Sequence, residues 1–142
     1  MKKLLLFVAL LAPLNFNTTG WELFENVVFT PKYFDEVDAY FEVPTFDEAL
    51  LSTQGEEVSL AGYIIPFDSD SIFMLSALPF ASCFFCGGAG PETVAEIVLA
   101  EPKSDLVLDE YVTIKGKLKL NDSDLQHLNF ILEGASFVKD DK

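Results

Sequence analysis

Apolar and polar residues alternate along two segments of the chain, residues 58–64 (VSLAGYI) and residues 112–118 (VTIKGKL). In the second segment the branched apolar residues share a face with Gly116, while Thr113 and the lysines occupy the opposite face. A period of two predicts strands that have one face on a core and one face in water. A glycine in the inward row, Gly62 or Gly116, allows each strand to bend sharply at the corner of a barrel.

Shorter apolar runs predict further strands. Three of them lie between or after the alternating segments, at residues 72–78, 93–99 and 130–138. Two more lie in an aromatic, acidic stretch near the N-terminus, at residues 27–29 and 37–43. The first three, added to the two alternating segments, make a set of five.

Two stretches between the strands carry start signals for short helices. In PTFDEALL, Thr45 is the predicted N-cap and Glu48 the third helical residue, which together form a capping box. In NDSDLQHL, Asn121 is the predicted N-cap, with Asp122 and Asp124 in the first turn. Neither helix is long enough to form a layer, so the predicted fold class is all-β.

Five strongly bent strands with one or two short helices predict a small five-stranded OB-like Greek-key barrel. This barrel domain is predicted over residues 46–138, after an extended N-terminal arm at residues 21–45 and before a charged tail at residues 139–142. An open sandwich or a lipocalin-like cup is the competing architecture, although the cup usually needs more strands.

Residues 1–20, MKKLLLFVALLAPLNFNTTG, have the pattern of a secretory signal peptide. Two lysines precede an apolar run that is too short to cross a bilayer, and small residues follow at the predicted cleavage site. No cysteine lies at that junction, so lipid attachment is not predicted. The expected protein is exported, either periplasmic or secreted, and has one domain.

The charge pattern bears on the possible partners. The formal net charge is −14, and all nine basic residues are lysines. Nucleic acid binding needs clustered cations and guanidinium groups, so nucleic acid is disfavoured as a partner. An acidic surface would concentrate cations around the protein, or would simply keep it soluble.

Both cysteines lie in the loop ASCFFCGGAGP, residues 81–91, between two predicted strands. A thioredoxin-type oxidoreductase is disfavoured because the glycines after Cys86 do not favour the helix that activates such a thiol. A local Cys83–Cys86 disulfide is plausible in an exported protein, and two buried free thiols are a second interpretation. The third is a metal site, because two thiolates two residues apart can share zinc or copper(I).

A closed zinc site needs four ligands, and the chain has a single histidine. The predicted metal ligands are therefore Cys83, Cys86, His127 and Glu92, the nearest carboxylate after the loop. A locally hydrogen-bonded surface or core histidine is the alternative for His127. No serine, histidine and acid are spaced as in a hydrolytic centre, so no catalytic residue is assigned and enzyme activity is not predicted.

Phe80, Phe84 and Phe85 surround the cysteines. They either plug the core, which is the favoured interpretation, or form an exposed apolar contact site.

Four stretches, GYIIPF (62–67), FMLS (73–76), SCFFCGGAGPE (82–92) and VTIKGKL (112–118), resemble an uncharacterised family of exported bacterial proteins that contain a domain of unknown function. The match spans roughly residues 42–138, and HLNFIL (127–132) is similar to the Bacteroidetes-type branch. Other branches keep one cysteine but follow it with histidine and prolines. An exchange of cysteine for histidine is typical of metal ligands, and the resemblance further implies an association with metal-ion transport systems.

The sequence therefore leads to the hypothesis of an exported protein that binds a transition metal, zinc or copper, as an accessory to an envelope transport system. The alternative is a structural domain pinned by a Cys83–Cys86 disulfide, which docks onto an envelope protein through its Phe-rich loop.

Overall fold

The computed structural model describes residues 20–139. The predicted leader lies outside the described residues except for Gly20, and the predicted charged tail lies outside them except for Lys139. Export therefore stays a prediction. No helix within residues 20–139 is long and apolar enough to cross a membrane.

The described residues form seven strands and one short α-helix, α1 (Glu48–Ser52). The strands are β1 (Val28–Phe34), β2 (Ala39–Thr45), β3 (Glu57–Pro66), β4 (Ile72–Ser76), β5 (Val94–Leu99), β6 (Tyr111–Leu120) and β7 (Phe130–Phe137). Strands β3 to β7 close a barrel in the order β3-β4-β5-β7-β6, while β1 and β2 form a separate antiparallel hairpin. All neighbours in the barrel are antiparallel except β5 and β7, which are parallel. The predicted small all-β barrel of five strands is confirmed.

Gly62 lies where β3 changes its partner. Strand β3 pairs with β6 over residues 57–63 and with β4 over residues 63–66. A Cβ atom on Gly62 would lie 2.4 Å from the carbonyl oxygen of Ser76. Glycine is therefore required here because the backbone of β4 approaches that of β3 too closely for any side chain.

Residues ahead of the barrel take part in its core, so the predicted N-terminal arm is more than an appendage. Trp21 and Phe24 are buried, and the Trp21 indole Nε1 donates a hydrogen bond to the carbonyl oxygen of Ala61 at 2.8 Å. Phe24 stacks on Phe130 with 3.9 Å between the ring centroids. The segment thus fills the barrel before the chain continues into the β1–β2 hairpin.

The helix predictions need correction at both sites. Helix α1 exists, but its N-cap is Asp47, whose carboxylate accepts the N–H of Leu50 at 2.8 Å, and Thr45 ends strand β2 instead. The stretch from Asn121 contains no helix, because the Asn121 side chain bonds the backbone on both sides of a compact loop. Its Oδ1 accepts the N–H of Asp124 at 2.9 Å, and its Nδ2 donates to the carbonyl oxygens of residues 124, 127 and 128. Asn121 does bind backbone N–H groups with its side chain, as an N-cap would, but the structure that it stabilises is a loop.

The close approach at Gly62 predicts the cost of a single methyl group. We expect Gly62→Ala to lower the free energy of unfolding by about 1–3 kcal/mol, because the new Cβ would force β3 and β4 apart. Urea denaturation monitored by fluorescence measures the free energy of unfolding of both proteins. The exposed residue Lys115 provides a control, since Lys115→Ala should change the free energy of unfolding by less than about 0.5 kcal/mol. Equal stability of Gly62→Ala and the unmodified protein would contradict the explanation given for this glycine.

Candidate functional site

The cysteine loop connects β4 to β5 and is folded by its own backbone. It contains two 3₁₀ turns, Phe80–Ser82 and Phe84–Cys86. The carbonyl oxygen of Cys83 accepts the N–H of Cys86 at 3.2 Å and the N–H of Gly88 at 3.1 Å. These two bonds wrap the loop around Cys83, so the following cysteine returns toward it.

The two thiols lie in different surroundings. Cys83 is fully buried and packs in a small apolar cluster with Ile65 and Met74, against which Leu128 also packs. Cys86 is exposed, and both cysteines are free thiols. Desolvation, followed by the charge and the hydrogen bond of the neighbouring Cys83 sulfur, raises the pKa of the Cys86 thiol. The pair therefore combines an enclosed sulfur with an accessible sulfur that resists ionisation.

His127 lies in the connection between β6 and β7, residues 121–129, and its partner is Glu96 on β5. The His127 Nδ1 atom lies 2.8 Å from Glu96 Oε1, and the N–H of Leu128 donates to Glu96 Oε2 at 3.1 Å. The Glu96 side chain is only 7% exposed, whereas the His127 ring is 44% exposed. A buried carboxylate therefore holds an accessible imidazole and the backbone next to it.

This geometry determines which ring nitrogen of His127 carries the proton. A carboxylate oxygen is a hydrogen-bond acceptor, so we assign the proton of this contact to Nδ1 of His127, with Glu96 Oε1 as the acceptor, while Oε2 accepts the N–H of Leu128. In the neutral imidazole the remaining Nε2 atom is then an unprotonated acceptor. Many metal-binding histidines are oriented by a carboxylate in this way.

A groove of about 380 Å³ lies at this end of the barrel. It is bounded by the β1–β2 hairpin, the cysteine loop and the 121–129 connection, and Phe84 and His127 both line it. His127 and the cysteine loop are thus on the same side of the molecule. Leu128, which follows His127, packs on the cluster that encloses Cys83.

Glu92 faces a different cavity. Its lining residues are Trp21, Glu22, Glu25, Glu92 and Thr93. Within residues 20–139 no group of three or more His, Cys, Asp or Glu side chains is arranged to hold a metal ion. The structure therefore brings Cys83 and Cys86 together and puts His127 on the same side, but it does not assemble the predicted set of four ligands.

The three phenylalanines of the loop are not equivalent. Phe80 and Phe85 are 40% and 48% exposed, so the favoured expectation that they plug the core is wrong for both. Phe84 is half-buried, lines the groove and contacts Phe85 edge to face at 5.3 Å between the ring centroids. The loop thus presents two aromatic rings to solvent beside the exposed thiol.

Sequence reasoning missed Glu96 as part of this site. The sequence feature that could have revealed Glu96 is its position as the single charged residue of the otherwise apolar strand β5. A carboxylate in such a position must be paired because burial of an isolated charge is costly. The only histidine of the chain was an available partner, although the sequence did not reveal that the two lie close together.

Comparisons of the chain with protein-family models, with curated proteins and with solved structures return no match.

Removal of the Glu96 carboxylate should affect both stability and the histidine proton. We expect Glu96→Ala to lower the free energy of unfolding by about 1–3 kcal/mol, because the Leu128 N–H loses its acceptor. Nitrogen-15 NMR of the His127 ring should show the Nδ1–H tautomer in the unmodified protein and lose that preference in the variant. As a control, Glu133→Ala removes an exposed acid paired with Lys119 and should cost less than about 1 kcal/mol. An Nε2–H tautomer in the unmodified protein would contradict the assignment.

The raised pKa of Cys86 predicts its reactivity with pH. Only the thiolate reacts with iodoacetamide, so in the reduced protein the alkylation of Cys86 should require a higher pH than that of an ordinary thiol. In Cys83→Ala the sulfur neighbour is gone, and the pH midpoint should fall toward the ordinary value. Mass spectrometry of peptides over a pH series measures both midpoints. A midpoint below that of an unperturbed thiol would instead indicate an activated cysteine and favour a thiol oxidoreductase.

Proposed function

We propose that this protein is an exported binding protein that holds a transition-metal ion between the Cys83 and Cys86 sulfurs. The observation that carries the proposal is the loop geometry. The backbone N–H groups of Cys86 and Gly88 both donate to the Cys83 carbonyl oxygen, and the turn that they form brings the two free thiols together. The Cys83 thiol is enclosed, and the Cys86 thiol is open to solvent. Such a pair can hold an ion with one sulfur and exchange it through the other.

The donor set favours a soft cation. Desolvation and then the neighbouring Cys83 sulfur raise the pKa of Cys86, and a cation between the two sulfurs would relieve the repulsion of paired thiolates. Copper(I) accepts two thiolates as its ligands, whereas a closed zinc site takes four. Copper(I) therefore fits the pair as it stands, and zinc would need further donors.

His127 is the best-placed additional donor of this chain. Glu96 orients its ring and leaves Nε2 as the acceptor, and the ring lies on the same side of the barrel as the cysteines. A partner protein could supply a ligand instead, since Cys86 is exposed. The acidic surface would raise the local concentration of cations.

The role in delivery rests on the resemblance to exported proteins associated with metal transport. In that role the protein is an accessory to an envelope transport system. It would take up an ion and pass it to a partner thiolate by ligand exchange at Cys86.

A second candidate function is a docking domain pinned by a Cys83–Cys86 disulfide. The exposure of Phe80 and Phe85 favours it, because two exposed aromatic rings in one loop offer apolar surface to a partner. The partner would then be an envelope protein, and no metal would bind.

Metal binding can be measured on protein purified without oxygen and loaded with copper(I) or zinc. We expect native mass spectrometry to show one ion per chain, with loss of two protons when both thiolates bind. Cys86→Ser should weaken copper(I) binding by about two orders of magnitude or more in competition titrations, because one of two sulfur ligands is removed. If His127 is a zinc ligand, His127→Gln should weaken zinc binding and leave copper(I) binding nearly unchanged.

The matched control is Ser82→Ala, which alters the same loop and keeps both sulfurs. It should bind both ions like the unmodified protein. A chain that lacks two protons and holds no metal after anaerobic purification would favour the disulfide-pinned domain. Equal copper(I) affinity of Cys86→Ser and the unmodified protein would overturn the metal proposal.

A further inference from the structure

The wall of the groove on the hairpin side is the edge of a strand. Five consecutive residues of β2, Tyr40 to Pro44, line the groove. Successive side chains of a strand point to opposite faces, so five in a row cannot all reach one groove through a single face. The groove must therefore run along the strand, where the main chain of β2 borders it.

Within residues 20–139, no strand lies beside this edge of β2. Strand β2 pairs with β1 through its whole length, and these two strands form a sheet of their own. Among the described residues, no backbone hydrogen bond joins residues 40–44 to any element other than β1. Alternate N–H and C=O groups of β2 thus point away from β1, toward the groove, and are open to a further strand.

The other surfaces of the groove set its chemical preference. Apolar side chains form much of its lining, among them Phe84, Val94 and Leu128. Acidic side chains stand on both sides, Glu42 on β2 and Asp122 and Asp124 on the 121–129 connection. His127 is the one side chain of the lining that can carry a positive charge. The groove therefore combines an unpaired backbone, apolar surface and a negative rim.

We propose that the groove binds an extended segment of a partner protein, which pairs with the free edge of β2 as an added strand. One row of its side chains is apolar and contacts the groove, and the other row carries lysine or arginine near the acidic rim. Addition of a strand to an exposed edge is an established mode of peptide recognition. Pro44 has no N–H, so the ladder ends there and spans residues 40–43, a length of about 14 Å.

This proposal is independent of the metal. It uses the backbone of β2 and the acidic rim, and neither sulfur takes part. The peptide experiment is therefore repeated in Cys86→Ser, where binding of the peptide should persist while copper(I) binding is strongly weakened. Failure of one proposal is then distinguishable from failure of the other.

The test uses the synthetic peptide acetyl-Val-Lys-Val-Lys-Val-Lys-amide and the full-length protein. We expect the peptide to bind and to slow the hydrogen exchange of alternate amides in residues 40–43. Two further peptides carry N-methyl groups on all valines or on all lysines, which leaves the side chains intact and blocks one row of backbone bonds. Because only one row faces β2, one of these peptides should bind about tenfold more weakly and the other should bind like the parent.

Two double variants test the charge. Glu42→Gln with Asp122→Asn should weaken peptide binding by about three- to tenfold at low salt, because two charges of the rim are removed. Asp68→Asn with Glu101→Gln removes two exposed acids, one just before β4 and one just after β5, whereas the groove lies at Val94, where β5 begins. This second double variant should leave binding nearly unchanged. The proposal is overturned if no peptide binds at millimolar concentration, if both N-methylated peptides bind equally, or if both double variants behave alike.

Discussion

The buried carboxylate of Glu96 holds together the end of the barrel on which every candidate function depends. One oxygen fixes the His127 ring and the other fixes the backbone of Leu128. Through these two bonds strand β5 anchors the 121–129 connection, whose residues form one wall of the groove and close over Cys83. Without this pairing the charge of Glu96 would be buried alone, at a cost of several kcal/mol. The connection is thus constrained by electrostatics where it has no regular secondary structure.

The barrel could be predicted from the sequence because each strand carries its own local signal. The period of two in β3 and β6 distinguishes inward from outward residues, and Gly62 stands in the inward row of β3, where the backbone of β4 leaves no space for a side chain. The parallel pairing of β5 and β7 closes the OB-like barrel and has no local signal. The count of strands and the sharp bends predicted a closed five-stranded barrel, but all its strands were expected to be antiparallel, so the parallel pair was not predicted.

The loops could not be predicted equally well, because the same polar side chain can hydrogen-bond the backbone of a helix N-terminus or that of a loop. Asn121 was a credible helix cap, and its side chain does accept backbone N–H groups. It also donates to three carbonyl oxygens of the following turn, which is incompatible with a continuing helix. Thr45 was replaced as the cap of α1 by Asp47 because pairing with Val28 keeps Thr45 in β2. In both cases another contact replaced the predicted helix cap. For Asn121 that contact lies within its own loop, and for Thr45 it is the pairing of β2 with β1.

The candidate site shows the same division between local and distant information. Cys83, Cys86 and His127 were recognisable by residue type, and the turn that brings the cysteines together follows from their spacing and the glycines behind them. The pairing of Glu96 with His127 spans 31 positions of sequence, and Glu92 faces the Trp21 side of the barrel. Side chains of the right chemistry are visible in a sequence, whereas the direction in which each one points depends on how the barrel closes.

The asymmetry between the two thiols places a physical limit on what the loop can do. The Cys83 sulfur is enclosed among apolar side chains, where a bound cation would offset the cost of burying a negative charge. Cys86 remains open to solvent, and its raised pKa keeps it protonated until an ion or an oxidant engages the pair. Such a loop is poorly suited to rapid nucleophilic attack, which needs a stable, accessible thiolate. It is better suited to slow reactions, in which an arriving soft cation displaces the thiol protons or an external oxidant takes two electrons and two protons as the sulfurs join.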